Sequence, residues 1–186
     1  MNIKRLMIFI IIIIFSLGLL SYNSAGTMIN DRLSELNGSN DDEKADIQFQ
    51  RIIKVLENKD KDGVKKIFSQ QALKEANDID GGIDYIMDFY KGEMKSSKRT
   101  VARLDSVNYG DKKSELDCRY IVTTNEDTYI VFFIDQIVDT KNSDNVGIYM
   151  LQVIKESDKE KEFDGGGKKT RCAGIYRTNT TNLKIN

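Results

Sequence analysis

The sequence contains no histidine, no tryptophan and no proline, and only two cysteines among its 186 residues. Without histidine there is no Ser-His-Asp or Cys-His nucleophile pair and no HExxH zinc site. Two thiols without imidazole do not make a four-ligand zinc site, so neither a metal nor a cofactor is expected. Without proline there is no polyproline linker and no cis-proline turn. An excess of either charge is also missing: 28 basic residues stand against 29 acidic ones. That balance leaves no basic footprint for nucleic acid. What is present is ordinary globular composition, 40% apolar, and about one domain of length.

The one long apolar run opens the chain. Lys4 and Arg5 precede Leu6 to Leu20, LMIFIIIIIFSLGLL. As a helix it reaches about 22 Å at roughly 1.5 Å per residue, and an approximately 30 Å bilayer core wants about twenty residues. A basic start, a short apolar run and the small residues Ser24, Ala25 and Gly26 fit a secretory signal. An uncleaved anchor spanning residues 4–20 is the alternative, because cleavage after Ala25 places Asn23 three positions back. In both cases the rest of the chain is expected outside the cytoplasm, touching a membrane only through this segment. Ser21 stands where a lipidated cysteine would be, so no lipid is attached there. Loss of residues 1–26 removes Lys4 and Arg5 and no acid, leaving a net charge of −3. Residues 27–40 read as a flexible tether, 41–178 as one folded domain and 179–186 as a disordered tail.

The domain begins with helical periodicity. Ala45, Phe49, Ile52, Ile53 and Leu56 form one apolar stripe, with Asp41, Asp42 and Glu43 at the end where the helix dipole favours carboxylates. Asn58 to Asp60 breaks it. A second helix carries Val64, Ile67 and Phe68, a short turn holds Ala72, Leu73 and Ala76, and a third helix after Asp80 carries Ile83, Ile86, Met87 and Tyr90 before Gly92. From Val101 the period becomes two, with strands expected near 101–109, 116–124, 128–140, 146–156 and 170–177. A three-residue hairpin loop, Asn125 to Asp127, predicts Val122 opposite Ile130, Tyr120 opposite Phe132 and Cys118 opposite Ile134. The loop Lys141 to Asn145 predicts Val138 opposite Ile148 and Ile134 opposite Gln152. Even-numbered side chains of these three strands are then expected to face the helices. Helices followed by a strand meander imply an α+β fold: N-terminal helices packed on one face of a curved antiparallel sheet of about five strands.

Two groups of residues carry a resemblance. Leu56, Asp60, Val64, Ile67, Phe68 and Ala72 are similar to the entry helices of nuclear transport factor 2-like (cystatin-like) domains. DNVGIYMLQVI (Asp144 to Ile154), FDGG (Phe163 to Gly166) and AGIYR (Ala173 to Arg177) resemble an uncharacterised family of exported and lipoprotein-like proteins of low-GC Gram-positive bacteria, a domain of unknown function. The resemblance implies a cone-shaped α+β fold outside the cytoplasm and assigns no activity. Many proteins of that kind look lipidated, and this chain departs from them in lacking the cysteine.

Such folds often hold a pocket between helices and sheet. In the expected register, Tyr120, Gln136 and Gln152 are the polar groups of the inward face, and a ligand pocket lined by them is the candidate site. No acid or base falls among them, and general acid–base work needs one. The odd face carries Ile121, Val131, Phe133, Ile137, Tyr149, Leu151 and Val153, more apolar bulk than a wet face normally shows. A second copy of the chain or a surface protein partner is expected to cover it. The loop 155–169 packing there is the intramolecular alternative. Asp117 is expected opposite Asp135, with Arg119 beside them, as a cation site or a solvated pair. Cys118 and Cys172 fall three strands apart in a meander, about 14 Å, too far for a disulfide's roughly 7 Å. A last strand returning beside the second would permit a bridge. Asp139, Asn142 and Asp144 lack the spacing of a calcium loop, and Gly165 to Lys169 lacks that of a phosphate loop.

These readings describe a non-catalytic binding module of unknown partner. The alternatives are a small-ligand carrier or enzyme using the helix–sheet cavity, and a surface immunity protein.

Overall fold

A computed structural model describes residues 40–178 apart from Tyr109. The expected signal or anchor, the tether up to residue 39 and the tail lie outside the described residues. Helix α1 (Asp41–Glu57) buries Ala45, Phe49, Ile52, Ile53 and Leu56, the stripe that its periodicity predicts, and opens with three acids in its first turn. Lys59 turns the chain with φ 53°. Its ammonium donates to the carbonyls of Met87 and Tyr90 at 2.5 and 2.7 Å, tying this turn to the end of the helix Ile79–Phe89.

Helices α2 (Lys61–Ile67), α3 (Gln70–Glu75) and α4 (Ile79–Phe89) each start at a side-chain cap. Asp60 accepts from the Gly63 N–H, Ser69 from Ala72 and Asp78 from Gly81, at 2.8, 3.0 and 2.9 Å. Each cap contributes about 1 kcal/mol. Because Asp78 and not Asp80 is the cap, α4 begins ahead of its expected start.

Five strands follow: β1 (Met94–Asn108), β2 (Lys112–Thr124), β3 (Thr128–Asp139), β4 (Gly147–Lys155) and β5 (Gly174–Tyr176). They lie side by side in chain order. The first three pairings are antiparallel. β5 runs parallel to β4, so the sheet is mixed. A parallel neighbour requires a crossover of a dozen or more residues, and residues 156–173 supply it. The α+β class and the helix-on-sheet layering are as expected.

The register differs from the expected one in a way that matters. Thr123, not Thr124, pairs with Thr128. Thr124 closes the turn instead: its N–H donates to the Asp127 carbonyl at 2.9 Å, and its hydroxyl oxygen accepts from Glu126 and Asp127. The loop therefore holds four residues. A one-residue slip exchanges the faces of a strand. Val122 consequently sits opposite Tyr129, Tyr120 opposite Val131 and Cys118 opposite Phe133. At the next hairpin Ile134 pairs with Met150, not Gln152. That slip of two residues preserves parity. Even positions of β2 from Leu116 to Val122 thus share the helix side with Val131, Phe133 and Asp135 of β3 and Leu151 and Val153 of β4, and the bulge at Tyr149 reverses the parity beyond it.

On the helix side, Phe49 of α1 stacks on Tyr120 with ring centroids 3.9 Å apart, and Tyr120 stacks along Phe133. On the far side, Phe132, Ile134 and Met150 form a second buried cluster with Tyr149, Phe163 and Tyr176 packed against it. The cover is a strap, residues 156–173, that includes α5 (Lys159–Glu162). Phe163 meets Phe132 edge-on at 5.4 Å and lies under the Arg119 guanidinium. Gln152 donates to the Glu162 carbonyl at 2.8 Å. β3 and β4 are therefore buried on both faces by the chain's own helices and strap.

Candidate functional site

The three residues expected to line one pocket are separated. Tyr120 lies beneath Phe49 and donates to Asp46 at 2.7 Å. Gln152 is on the opposite face under the strap. Gln136 sits near the end of β3, paired with Glu115 on β2 and Gly147 on β4, beside two bulges whose extra residues are Ile137 on β3 and Tyr149 on β4. Tyr120, with Phe49, lines one cleft and Gln136 another, and Gln152 lines neither of them.

The expected interface is likewise corrected. Val131, Phe133, Leu151 and Val153 are at most 1% exposed and face the helices, and Ile137 is buried as well. Ile121 and Tyr149 are half-buried, Tyr149 beneath Arg171. The surplus apolar bulk was a correct sign that both faces are covered, but the strap is the cover, and it lies over the even-numbered side chains. Asp117 and Asp135 point to opposite faces, since Asp117 pairs with Ile134. Asp135 accepts from Gln48 of α1 at 2.9 Å. Both cysteines are free thiols. Burial raises both thiols above their ordinary range, and for Cys118 the nearby Asp135 and Asp117 charges add to it.

The glycine loop is committed internally. The carboxylate of Asp164 accepts from the N–H groups of Gly167 and Lys169 and from the Thr170 hydroxyl. Burial opposes its ionisation, but these bonds outweigh that and hold it below the usual carboxylate range. The backbone donors that a phosphate would need are thereby occupied. The Asp139–Asp144 turn is similar. Asp139 accepts from the N–H of Lys141 and Asn142 and from the Asn145 amide, which together keep its carboxyl low, Asn145 foremost. Asp144 pairs with Lys74 of α3 at 2.8 Å.

That turn forms one wall of a polar cleft of about 390 Å³ at the bulged end of the sheet. Asn142 and Asn145 line this wall, and Gln71 and Glu75 of α3 line another. Lys113, Gln136, Tyr149 and Arg171 complete it. Arg171 is clamped twice. One guanidinium nitrogen donates to both Glu115 oxygens at 2.9 Å, and its plane lies 5.3 Å over the Tyr149 ring. Such a clamp fixes the fork and leaves its remaining N–H groups for another acceptor. Gln71 donates to Glu75 at 2.6 Å. The Tyr149 phenol is raised by burial and then by the charge of Glu75, with Arg171 opposing. The ring thus lies within the fields of both charges.

Gln136 is 7% exposed and donates to Glu115 at 3.3 Å, while its Oε1 is buried with no hydrogen-bond partner among the described residues. A buried acceptor left unpaired costs about 1–3 kcal/mol. Gln136 is expected from the sequence as a site residue, but its company is not. Lys113, Glu75 and Arg171 come from β2, α3 and the strap, with no shared motif to join them.

Fold and cleft together define an α+β helix-on-sheet domain with an amide-rich, charge-balanced cleft at one end. The chain belongs to a family described as a domain of unknown function, DUF5104, which matches residues 51–156, more than half of its length. The match runs from within α1 to the end of β4 and takes in every lining residue of the cleft except Arg171. No curated protein matches the sequence.

Proposed function

We propose that this chain is a non-catalytic binding module held outside the cytoplasm, with the nuclear transport factor 2-like arrangement of helices on a sheet, and that its ligand seats in the cleft at the bulged end of the sheet. The N-terminal basic and apolar segment supports the location. The observation that carries the site is Gln136: an acceptor without a donor, on the wall of a cleft that also presents a pre-oriented arginine. An unpaired buried acceptor calls for an explanation, and a ligand bound beside it would supply one. The commitments of three reactive groups support binding over catalysis. Glu115 is spent on Arg171, Asp139 on its own turn, and the Cys118 thiol is sealed in the core.

The test is a thermal-shift and NMR screen of the full chain in detergent micelles against small polar metabolites, peptides and glycans. A hit is expected to perturb Gln136, Tyr149 and Arg171 and to be lost in Gln136→Met. That variant removes the unpaired oxygen at nearly constant volume, so unliganded stability is expected to stay level or rise. Hits that ignore Gln136→Met, or a screen without hits, contradict the reading.

A further inference from the structure

β1 is an edge strand with two unlike halves. Among the described residues it pairs with β2 alone, and no strand lies along its other side. Edge strands are ordinarily blunted by lysine, by proline or by bulges, because their open N–H and C=O groups recruit other strands. The first half of β1 has such guards. Lys95, Lys98 and Arg99 fall there, with register shifts between Met94 and Ser96 and between Arg99 and Val101. The second half has none. Val101 to Asn108, VARLDSVN, runs in unbroken register against Arg119 to Lys112, without lysine, glycine or proline.

The order of these residues is complementary to itself. Outward from Leu104, Arg103 mirrors Asp105, Ala102 mirrors Ser106 and Val101 mirrors Val107. Two copies laid antiparallel, with Leu104 opposite Leu104, set each arginine against the other copy's aspartate. The same register sets small residue against small and valine against valine. Centring the pairing on Arg103 or on Asp105 instead sets like charge against like, which is destabilising. Within its own sheet Asp105 is opposite Glu115, and Arg103 is opposite Asp117. Arg103 of a second copy therefore brings a cation to a position whose neighbour on β2 is an acid. A guanidinium has five N–H donors, enough for Asp117 and for the second copy's Asp105 together. We propose that the chain forms a two-fold dimer through the Val101–Asn108 edge, centred on Leu104, joining two sheets into one continuous sheet. Opposed residues share a face, so both helix layers lie on the same side of it. The edge is separate from the cleft, none of whose lining residues belongs to β1.

Sedimentation of the full chain in density-matched detergent micelles measures the association. Wild type is expected to dimerise. Arg103→Asp and Asp105→Arg each put like charges at two symmetry-related positions. Each is expected to weaken the dimer about tenfold, two exposed ion pairs of roughly threefold apiece. Mixing the two variants recreates both opposite-charge pairs, so a mixed dimer as tight as wild type is expected. Cysteine substitution tests the register separately. Directly opposed strand residues have Cα atoms about 4.5–5.5 Å apart, within reach of a disulfide, whereas Ser106 falls roughly 14 Å from its own copy. Leu104→Cys is expected to give a disulfide-linked dimer with oxidised glutathione, and Ser106→Cys and wild type are not. Circular dichroism checks that each variant folds. The proposal is overturned by a monomeric wild type, by a dimer indifferent to both charge reversals, by a mixture no tighter than its components, or by equal cross-linking of the two cysteine variants.

Discussion

Gly166 offers the sharpest physical test of how the second face of the sheet is closed. Its φ is +75°, and a Cβ built there meets the Phe132 ring at 2.8 Å and Ile134 Cδ1 at 3.3 Å. Gly165, its neighbour, has φ +73° but nothing within 4 Å. Alanine at either site incurs the left-handed backbone penalty, roughly 1–2 kcal/mol, and gains the same reduction of unfolded-state entropy. Only at residue 166 does it also press on a ring that is 2% exposed. Overpacking of that kind costs about 1–3 kcal/mol. The difference between Gly166→Ala and Gly165→Ala therefore isolates the strap–sheet contact. At about 3 °C per kcal/mol for a chain of this size, Gly166→Ala is expected to melt some 3–9 °C below Gly165→Ala. Circular dichroism measures the melts, and hydrogen exchange is expected to show loss of protection in residues 156–173 before β2 and β3. Equal melting of the two variants refutes the claim that the strap presses on Phe132.

Phe133 is fully buried against Tyr120, so Phe133→Ala is expected to cost about 3–5 kcal/mol and Phe133→Asp to abolish folding. A folded, soluble Phe133→Asp contradicts the helix-side assignment. Asp164 has a folded pKa below its unfolded value. Its stabilisation is therefore present above about pH 4 and is lost as pH falls through the folded value. Hydrogen exchange in the strap is expected to be flat between pH 5 and 8 after correction for intrinsic rates and to rise in acid, and Asp164→Asn to be indifferent to that acid step. Both thiols have raised pKa values. A thiol reagent at pH 8 is expected to label Cys172 slowly and Cys118 only on unfolding, whereas a mass 2 Da low before reduction would reveal a bridge.

The helices could be read from the sequence because a stripe such as Ala45 to Leu56 carries its own phase and needs no partner to define it. The positions of the three central strands were readable for the same reason, whereas the first strand starts seven residues ahead of its expected start and the last is only Gly174–Tyr176. Strand phase was not, because it depends on whether Thr124 ends a ladder or closes a turn, and a threonine hydroxyl does either. One residue of error there exchanged Phe132 with Phe133 and carried β4 with it. The strap was visible only as a charged, glycine-rich stretch. Its hold on the sheet rests on Phe163, Gly166 and the Asp164 turn, which polar composition conceals. The cleft escaped because its charged members lie on separate elements and meet only where bulges at Ile137 and Tyr149 shift the register. Gln136 itself was identified from its place on a strand, in company that the observed register does not supply.

Inter-proton contacts around the two adjacent phenylalanines test the arrangement most directly. In isotope-labelled full chain, the account predicts cross-peaks from the Phe132 ring to Phe163 and to the Gly166 α-protons, and from the Phe133 ring to Tyr120. Cross-peaks joining Phe133 to Phe163, or Phe132 to Tyr120, contradict it.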